Sequence, residues 1–379
     1  MIKKVMFVFC FGIFIKMEIE DQIILDDDYD VMDIINDGFP RARPQRPNYF
    51  DSIDDLGFFR RFRLTKPTAE ALLGEIQHTM EFDNNLNNQV SPMNQLLTTL
   101  RFYASNGHQI GIGDLMGIHQ TTACRIISRV SRTIAMLRPN YIQMPENHAQ
   151  LLHTQQEFYH RARFPRVVGC IDCTHIKINS PGGEDPEIFR NSKGIFSINT
   201  QVVGNANLEI TDIVARWPGS VHDATIFNNS SILARLENQE FGNGIILGDS
   251  GYALRPFLLT PLLNPVNQAE QRYNESLIRT RNCIERLFGC WKRRFPVLAY
   301  GMRCHTDNVM AIIVATAVLH NICRRMGEDL PPAPEDIDED MLEYLIEQDN
   351  VPHVPFVNNV NNILNYRQQI INTYFARLN

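Results

Sequence analysis

A chain of 379 residues is long enough for two or three domains and a sizeable core, and its eight cysteines do not make a disulfide framework at this length. The net charge of −7 argues against a nucleic-acid partner only until it is located. Residues 1–37 carry nine acidic and three basic side chains and residues 328–379 carry ten and two, leaving 24 acidic and 31 basic in residues 38–327. The middle is basic, which favours phosphate contacts, and the ends are acidic and expected to be solvated.

In chain order, Lys3-Lys4 and the apolar run Val5–Ile15 resemble a signal-peptide core, but Lys16-Met17-Glu18 follows with no small-residue cleavage site. Eleven apolar residues are also too few to span a membrane. The expectation is a true or alternative start at Met17, with a working signal peptide, and so a secreted hydrolase, as the other reading. Residues 18–58, which include Pro40-Arg-Ala-Arg-Pro44, read as a mostly irregular arm.

Helices are expected from about Thr65-Lys-Pro-Thr68, with Thr68 as cap and Ala69, Leu72, Leu73 and Ile76 as the apolar stripe. A further helix places Met93, Leu96, Leu97, Leu100 and Ala104 on one face. Then come a short element at Ile112–Met116, a Gly117-Ile118 turn and a helix from about Thr121 with Ala123, Ile126, Ile127, Val130 and Ile134 inward. Arg125, Arg129 and Arg132 recur on its other side. This order suggests a helix-turn-helix with Gln120, Thr121 and Thr122 near the start of the recognition helix. An ordinary bundle with a solvated arginine face is the alternative.

The pattern then changes to strands at Arg166–Ile178, Phe196–Gly204 and Glu209–Ala215, expected to pair antiparallel, and a helix at His222–Leu236. Strands at Gly244–Gly248 and about Phe257–Leu263, a helix around residue 285 and an apolar helix at Thr306–Arg325 follow. Cys170 and Cys173 have the CxxC spacing of a zinc or redox site, but residues i and i+3 of a strand face opposite ways, so structural thiols are the better reading. After Gly327, Pro331-Pro-Ala-Pro334 and an acidic run mark a linker and tail, with a modest helix at Met341–Ile346.

Three acidic residues organise this second half. Asp172 in Gly169-Cys-Ile-Asp-Cys-Thr-His175 and Asp249 in Leu247-Gly-Asp-Ser-Gly-Tyr252 sit at or near the ends of apolar β-branched runs that read as buried strands, and Glu285 lies on a helix whose core stripe is Ile284, Leu287, Phe288 and Trp291. Isolated carboxylates in apolar surroundings are costly unless paired or bound to metal. Hard divalent ions such as Mg²⁺ take a few carboxylates and leave room for phosphate. Such a set suits two-metal phosphodiester cleavage. His222-Asp223 either tunes such a site or caps the helix that follows. Arg286, Lys292 and Arg293 surround Glu285 and read as phosphate contacts.

With Trp217-Pro-Gly-Ser-Val-His-Asp223, Leu259-Thr-Pro-Leu262, Arg272-Tyr-Asn274 and Val318-Leu-His-Asn321, these blocks resemble the PIF/Harbinger transposases from about Phe59 to Gly327. The resemblance implies an α/β, RNase H-like mixed-sheet catalytic domain of the DDE superfamily (151–327), preceded by a helical, helix-turn-helix-like DNA-binding domain (59–150). Residues 1–58 are then a leader and arm, and 328–379 an acidic tail. It also implies Asp172, Asp249 and Glu285 as catalytic and metal-binding residues with two Mg²⁺ or Mn²⁺ ions, and DNA cleavage with strand transfer. It further implies a Myb/SANT-like DNA-binding partner and a nuclear location, also cytoplasmic, with a homo-oligomer allowed and no membrane. A DNA-binding or scaffold protein with dormant nuclease chemistry is the alternative.

Overall fold

The computed structural model describes residues 46–80, 90–105, 108–182, 185–332, 337–348 and 361–378. The leader and most of the Pro-Arg arm lie outside them. Helices α1 (Tyr49–Ser52), α2 (Asp55–Phe62), α3 (Lys66–Ile76) and α4 (Pro92–Tyr103) open the described chain. Part of the segment expected to be irregular is therefore helical. Asp54 caps α2 by accepting from the Gly57 N–H, and Phe58 and Phe62 supply a fully buried face. The cap of α3 is Thr65 rather than Thr68, because Pro67 occupies the first turn and Thr65 accepts from the Thr68 N–H.

Helices α5 (Gln109–Met116) and α6 (Gln120–Met136) are joined by a tight turn at Gly117, with φ 65°. Gly113 is required there. A Cβ at that position would come within 2.8 Å of the Ile118 carbonyl oxygen and 3.3 Å of the Gln120 nitrogen, so only glycine lets the helices approach this closely. Helices α7 (Arg138–Tyr141) and α8 (His148–Ala162) lead into the sheet.

The sheet has strands β1 (Val167–Lys177), β2 (Ser197–Gly204), β3 (Ile210–Pro218), β4 (Ile245–Leu247) and β5 (Leu258–Leu259), in the order β3-β2-β1-β4-β5. The first three pair antiparallel, and β4 and β5 run parallel to β1. The helix expected over 222–236 is two, α9 (Asp223–Asn228) and α10 (Ser231–Glu237), broken at Asn229-Ser230. Then come α11 (Gln268–Arg294), α12 (Val297–Tyr300), α13 (Thr306–Arg325), α14 (Glu339–Gln348) and α15 (Asn361–Thr373).

Strand periodicity sorts the core into two layers. Val168, Ile171, Val203, Ile246 and Leu258 pack with Phe227, Ile232 and Leu236 of α9 and α10. Cys170, Val202, Leu247 and Leu259 belong to the larger core with Leu277, Ile284, Leu287 and Trp291 of α11, and with Leu97, Ile127 and Val130 of the helical segment. The helical segment and the sheet thus share one core. Helix α13 is long and apolar enough to cross a membrane by length and composition, yet it is a buried core helix packed on α6 and β3. Its Asn321 satisfies the outer edge of β3, accepting from the Ile210 N–H at 2.8 Å and donating to the Ile210 carbonyl at 2.6 Å.

The segment read as a solvated tail returns to the core. Ile370, Ile371 and Phe375 are buried, and Phe375 packs edge-on against Tyr273 at 5.5 Å between ring centroids. Apolar burial outweighs the acidic composition there, because the acidic residues lie earlier in the segment.

His320, on α13, is 1 % exposed, and one ring nitrogen meets the Leu208 carbonyl at 2.7 Å. Burial pulls its pKa down from 6.5 to about 4. The folded protein therefore holds His320 neutral while the unfolded chain takes up a proton. Stability is full above the unfolded value and falls as pH drops from about 6.5 to about 4, by roughly 3 kcal/mol. Urea unfolding at pH 7.5 and 4 should show this loss in the natural chain and a shallower one in His320→Gln. Equal losses would exclude His320 as the cause.

Candidate active site

The sheet register places the two aspartates on neighbouring strands, with Asp172 in the middle of β1 rather than at its end and Asp249 just past β4. Cys170 of β1 aligns with Leu247 of β4 in the parallel pair, and Asp172 and Asp249 each lie two residues further on. Asp172 is 6 % exposed and Asp249 7 %. Asp172 Oδ1 accepts from the Cys173 N–H at 2.8 Å, and Asp249 Oδ1 from the Gly251 N–H at 3.0 Å, which holds the turn after β4.

Helix α11 carries Glu285 across the sheet. Its seat is Gly204 at the end of β2, where a Cβ would come within 2.8 Å of Leu287 and 2.9 Å of Ile284. These two neighbours of Glu285 press onto bare backbone and set the depth of the helix. The Glu285 side chain is about half exposed, with relative accessibility 49 %.

Between these acids lies Arg281, one turn before Glu285. Its Nη2 donates to Asp172 Oδ2 at 2.6 Å, and its Nη1 lies 3.4 Å from Glu285 Oε1. Burial lowers the guanidinium's pKa, and Asp172, then Asp249 and Glu285, outweigh this and raise it above its ordinary value. Asp172 and Glu285 therefore share one cationic group. Among the described residues, no three His, Cys, Asp or Glu side chains stand close enough to hold a metal ion as they are. The donors are still of the type that hard divalent cations take, and their partner here is itself a cation.

The pair His222-Asp223 divides. His222 is exposed and makes no side-chain cap, whereas Asp223, the first residue of α9, is 7 % exposed and turned inward. Asn199 of β2 donates to Asp223 Oδ1 at 2.9 Å and to the Val221 carbonyl at 2.8 Å. Desolvation, then Asp223 and Asp172, hold the Cys173 thiol well above its ordinary range. Asp223 thus acts on Cys173, the residue after the β1 acid, and Asn199, which holds Asp223, is a residue that the sequence reading missed. The alternation of β2 was the available signal, since Asn199 and Gln201 are polar positions in a wholly buried strand.

The CxxC thiols part as the strand geometry requires. Cys170 Sγ lies 3.7 Å from the Thr280 carbonyl, and Cys173 Sγ lies 3.4 Å from the Tyr252 hydroxyl.

The basic residues sort differently from the expectation. Lys292 is not on the solvent side: it is 1 % exposed, and its ammonium donates to the His175 carbonyl at 3.2 Å. Arg293 pairs with Glu343 of α14, and Arg286 is exposed. On α6, Arg125 is exposed, but Arg129 donates to Gln95 and Arg132 to Asn308 Oδ1 at 3.0 Å. Core packing of α6 against α4 and α13 turns part of that arginine row toward polar partners.

Residues 171–321 match the family described as DDE superfamily endonuclease. The protein named “Putative nuclease HARBI1” of Rattus norvegicus is 31 % identical over 299 residues, covering 76 % of this chain and 81 % of that protein. The chain belongs to the Harbinger transposase-derived nucleases of the DDE superfamily. The human nuclease of the same name is 33 % identical over 248 residues, covering 65 % of this chain and 71 % of its own. “Protein ALP1-like” of Arabidopsis thaliana is 24 % identical over 310 residues, covering 76 % and 74 %. No solved structure matches. As a Harbinger-type nuclease the protein is a hydrolase of phosphodiester bonds, in a superfamily that generally uses divalent metal.

Proposed function

We propose that this nuclease cleaves DNA at Asp172, Asp249 and Glu285, with Asp223 as a further carboxylate of the site. The observation that carries the reading is that Asp172 of the sheet and Glu285 of the helix share Arg281, while Asp249 follows the strand beside Asp172. Two divalent ions bound there would supply a hydroxide nucleophile and stabilise the leaving oxygen. The chain's own part is to hold Asp172 and Asp249 by neighbouring backbone N–H groups, seat Glu285 through Gly204, and fix Asp223 through Asn199. The same arrangement would allow strand transfer from a DNA 3′-hydroxyl. Incubating a DNA duplex with the protein and Mg²⁺ tests the reading: cleavage that stops on chelation supports it. Intact duplex at every Mg²⁺ or Mn²⁺ concentration would favour a DNA-binding protein with dormant chemistry.

Exposed Arg125 and Arg286 are the proposed phosphate contacts. Replacing both with Ala should weaken duplex binding and flatten its salt dependence by roughly two units of slope. A fluorescence-anisotropy salt titration reads this, and an unchanged slope would place the phosphates elsewhere. A nuclear and cytoplasmic location and a Myb/SANT-like partner that assists nuclear entry complete the proposal. Efficient nuclear import of the chain expressed alone would count against that dependence.

A further inference from the structure

Arg281 is the cation that the acidic site already contains, and its surroundings set what must happen when another arrives. Its side chain is 14 % exposed and that of Asp172 is 9 % exposed, so their 2.6 Å contact is a charge-assisted hydrogen bond with little water around it. The second contact, to Glu285 one turn along α11, uses the other terminal nitrogen, so one planar fork spans an acid of the sheet and an acid of the helix. Asp249 follows the strand beside the one that carries Asp172.

Two carboxylates, Asp172 and Glu285, share this one guanidinium. Arginine cannot shed its proton under ordinary conditions, so it cannot make way for a second cation by neutralising itself. A divalent ion taking Asp172 and Glu285 as ligands would lie within a few ångströms of the guanidinium, and like charges at that range in a poorly hydrated site repel strongly. The carboxylates would have to exchange one cation for the other.

We propose that Arg281 and the divalent metal compete for Asp172 and Glu285, so that Arg281 holds the metal-free site together and sets its metal affinity. The inference rests on the three-acid reading of the site. A plain clamp tying α11 to β1 predicts the opposite sign, because removing it would let Glu285 drift and weaken metal binding.

The test uses the full chain with Mn²⁺ alone as probe, without DNA, by titration calorimetry and thermal melting. Arg281→Gln keeps polarity and loses the charge. It should bind Mn²⁺ about tenfold more tightly than the natural protein, melt lower without metal, and regain most of that loss when Mn²⁺ is added. Unchanged or weaker Mn²⁺ affinity in the folded Gln variant would overturn the exchange. If that variant does not fold without metal, Arg281→Lys decides. It keeps the charge but cannot span both acids, so Mn²⁺ binding equal to or tighter than that of the natural protein supports the exchange, and weaker binding, as a plain clamp predicts, overturns it. Asp249→Asn separates the two layers of the argument. Mn²⁺ binding that is lost in this variant upholds the three-acid site whatever Arg281 does, whereas binding it leaves untouched removes that site and the exchange with it.

Discussion

Asp249→Asn should abolish Mg²⁺-dependent cleavage of a DNA duplex, with a loss of at least about 10³-fold, or ~4 kcal/mol of transition-state stabilisation. The substitution is close to isosteric. The amide oxygen can still accept the Gly251 N–H that shapes the turn after β4, so the fold should survive. What disappears is a negative charge on a side chain 7 % exposed, next to the strand that carries Asp172. A neutral amide is a poor ligand for a hard divalent ion compared with a carboxylate. Cleavage of labelled duplex, read beside a thermal melt, checks both halves. Retained cleavage in the folded variant would mean that the acids have been wrongly assigned.

Arg294→Met should cost about 3–5 kcal/mol of stability. Arg294 and Glu328 are both almost wholly enclosed, with side-chain accessibilities of 2 % and 4 %, and their ion pair is 3.0 Å long. The same guanidinium donates to the carbonyls of Arg63 at 2.7 Å and Asp329 at 2.6 Å. Arg63 in turn donates to the carbonyls of Arg294 and Arg293, so the end of α11, the end of α2 and the segment after α13 are tied at one point. Methionine would fill much of the volume but leave the Glu328 carboxylate buried without a cationic partner in contact, held by neutral donors such as the Thr65 N–H and hydroxyl. The cost comes from that uncompensated charge. Replacing Glu328 with Leu as well should therefore recover much of the loss. Urea unfolding of the two variants measures this, and a single-variant loss below about 1 kcal/mol would show that the pair does not hold these segments together.

The acids and the order of elements were legible because local patterns encode them. Asp172 and Asp249 stand out as charges in β-branched runs, Glu285 as a charge beside a helical core stripe, and Gly117 as a turn between two periodic segments. Each of these signals is complete within about ten residues. The break at Asn229-Ser230 was not legible, since the apolar stripe continues across it at helical spacing. The return of residues 361–378 to the core was hidden by the acidic residues that precede them.

What the sequence by itself determined is therefore which residues could do chemistry and on which kind of element each stands. Only the tertiary structure decided where the long charged side chains go. Lys292, Arg281 and Arg286 all belong to one basic helix, and no local pattern separates them. Lys292 reaches a carbonyl 117 residues away in sequence and is buried, while Arg281 reaches Asp172 across 109 residues and becomes the cation of the acidic site. Arg286 stays in solvent. A flexible cationic side chain goes to whichever acceptor the assembled fold places within its reach, and that acceptor lies on a distant stretch of chain.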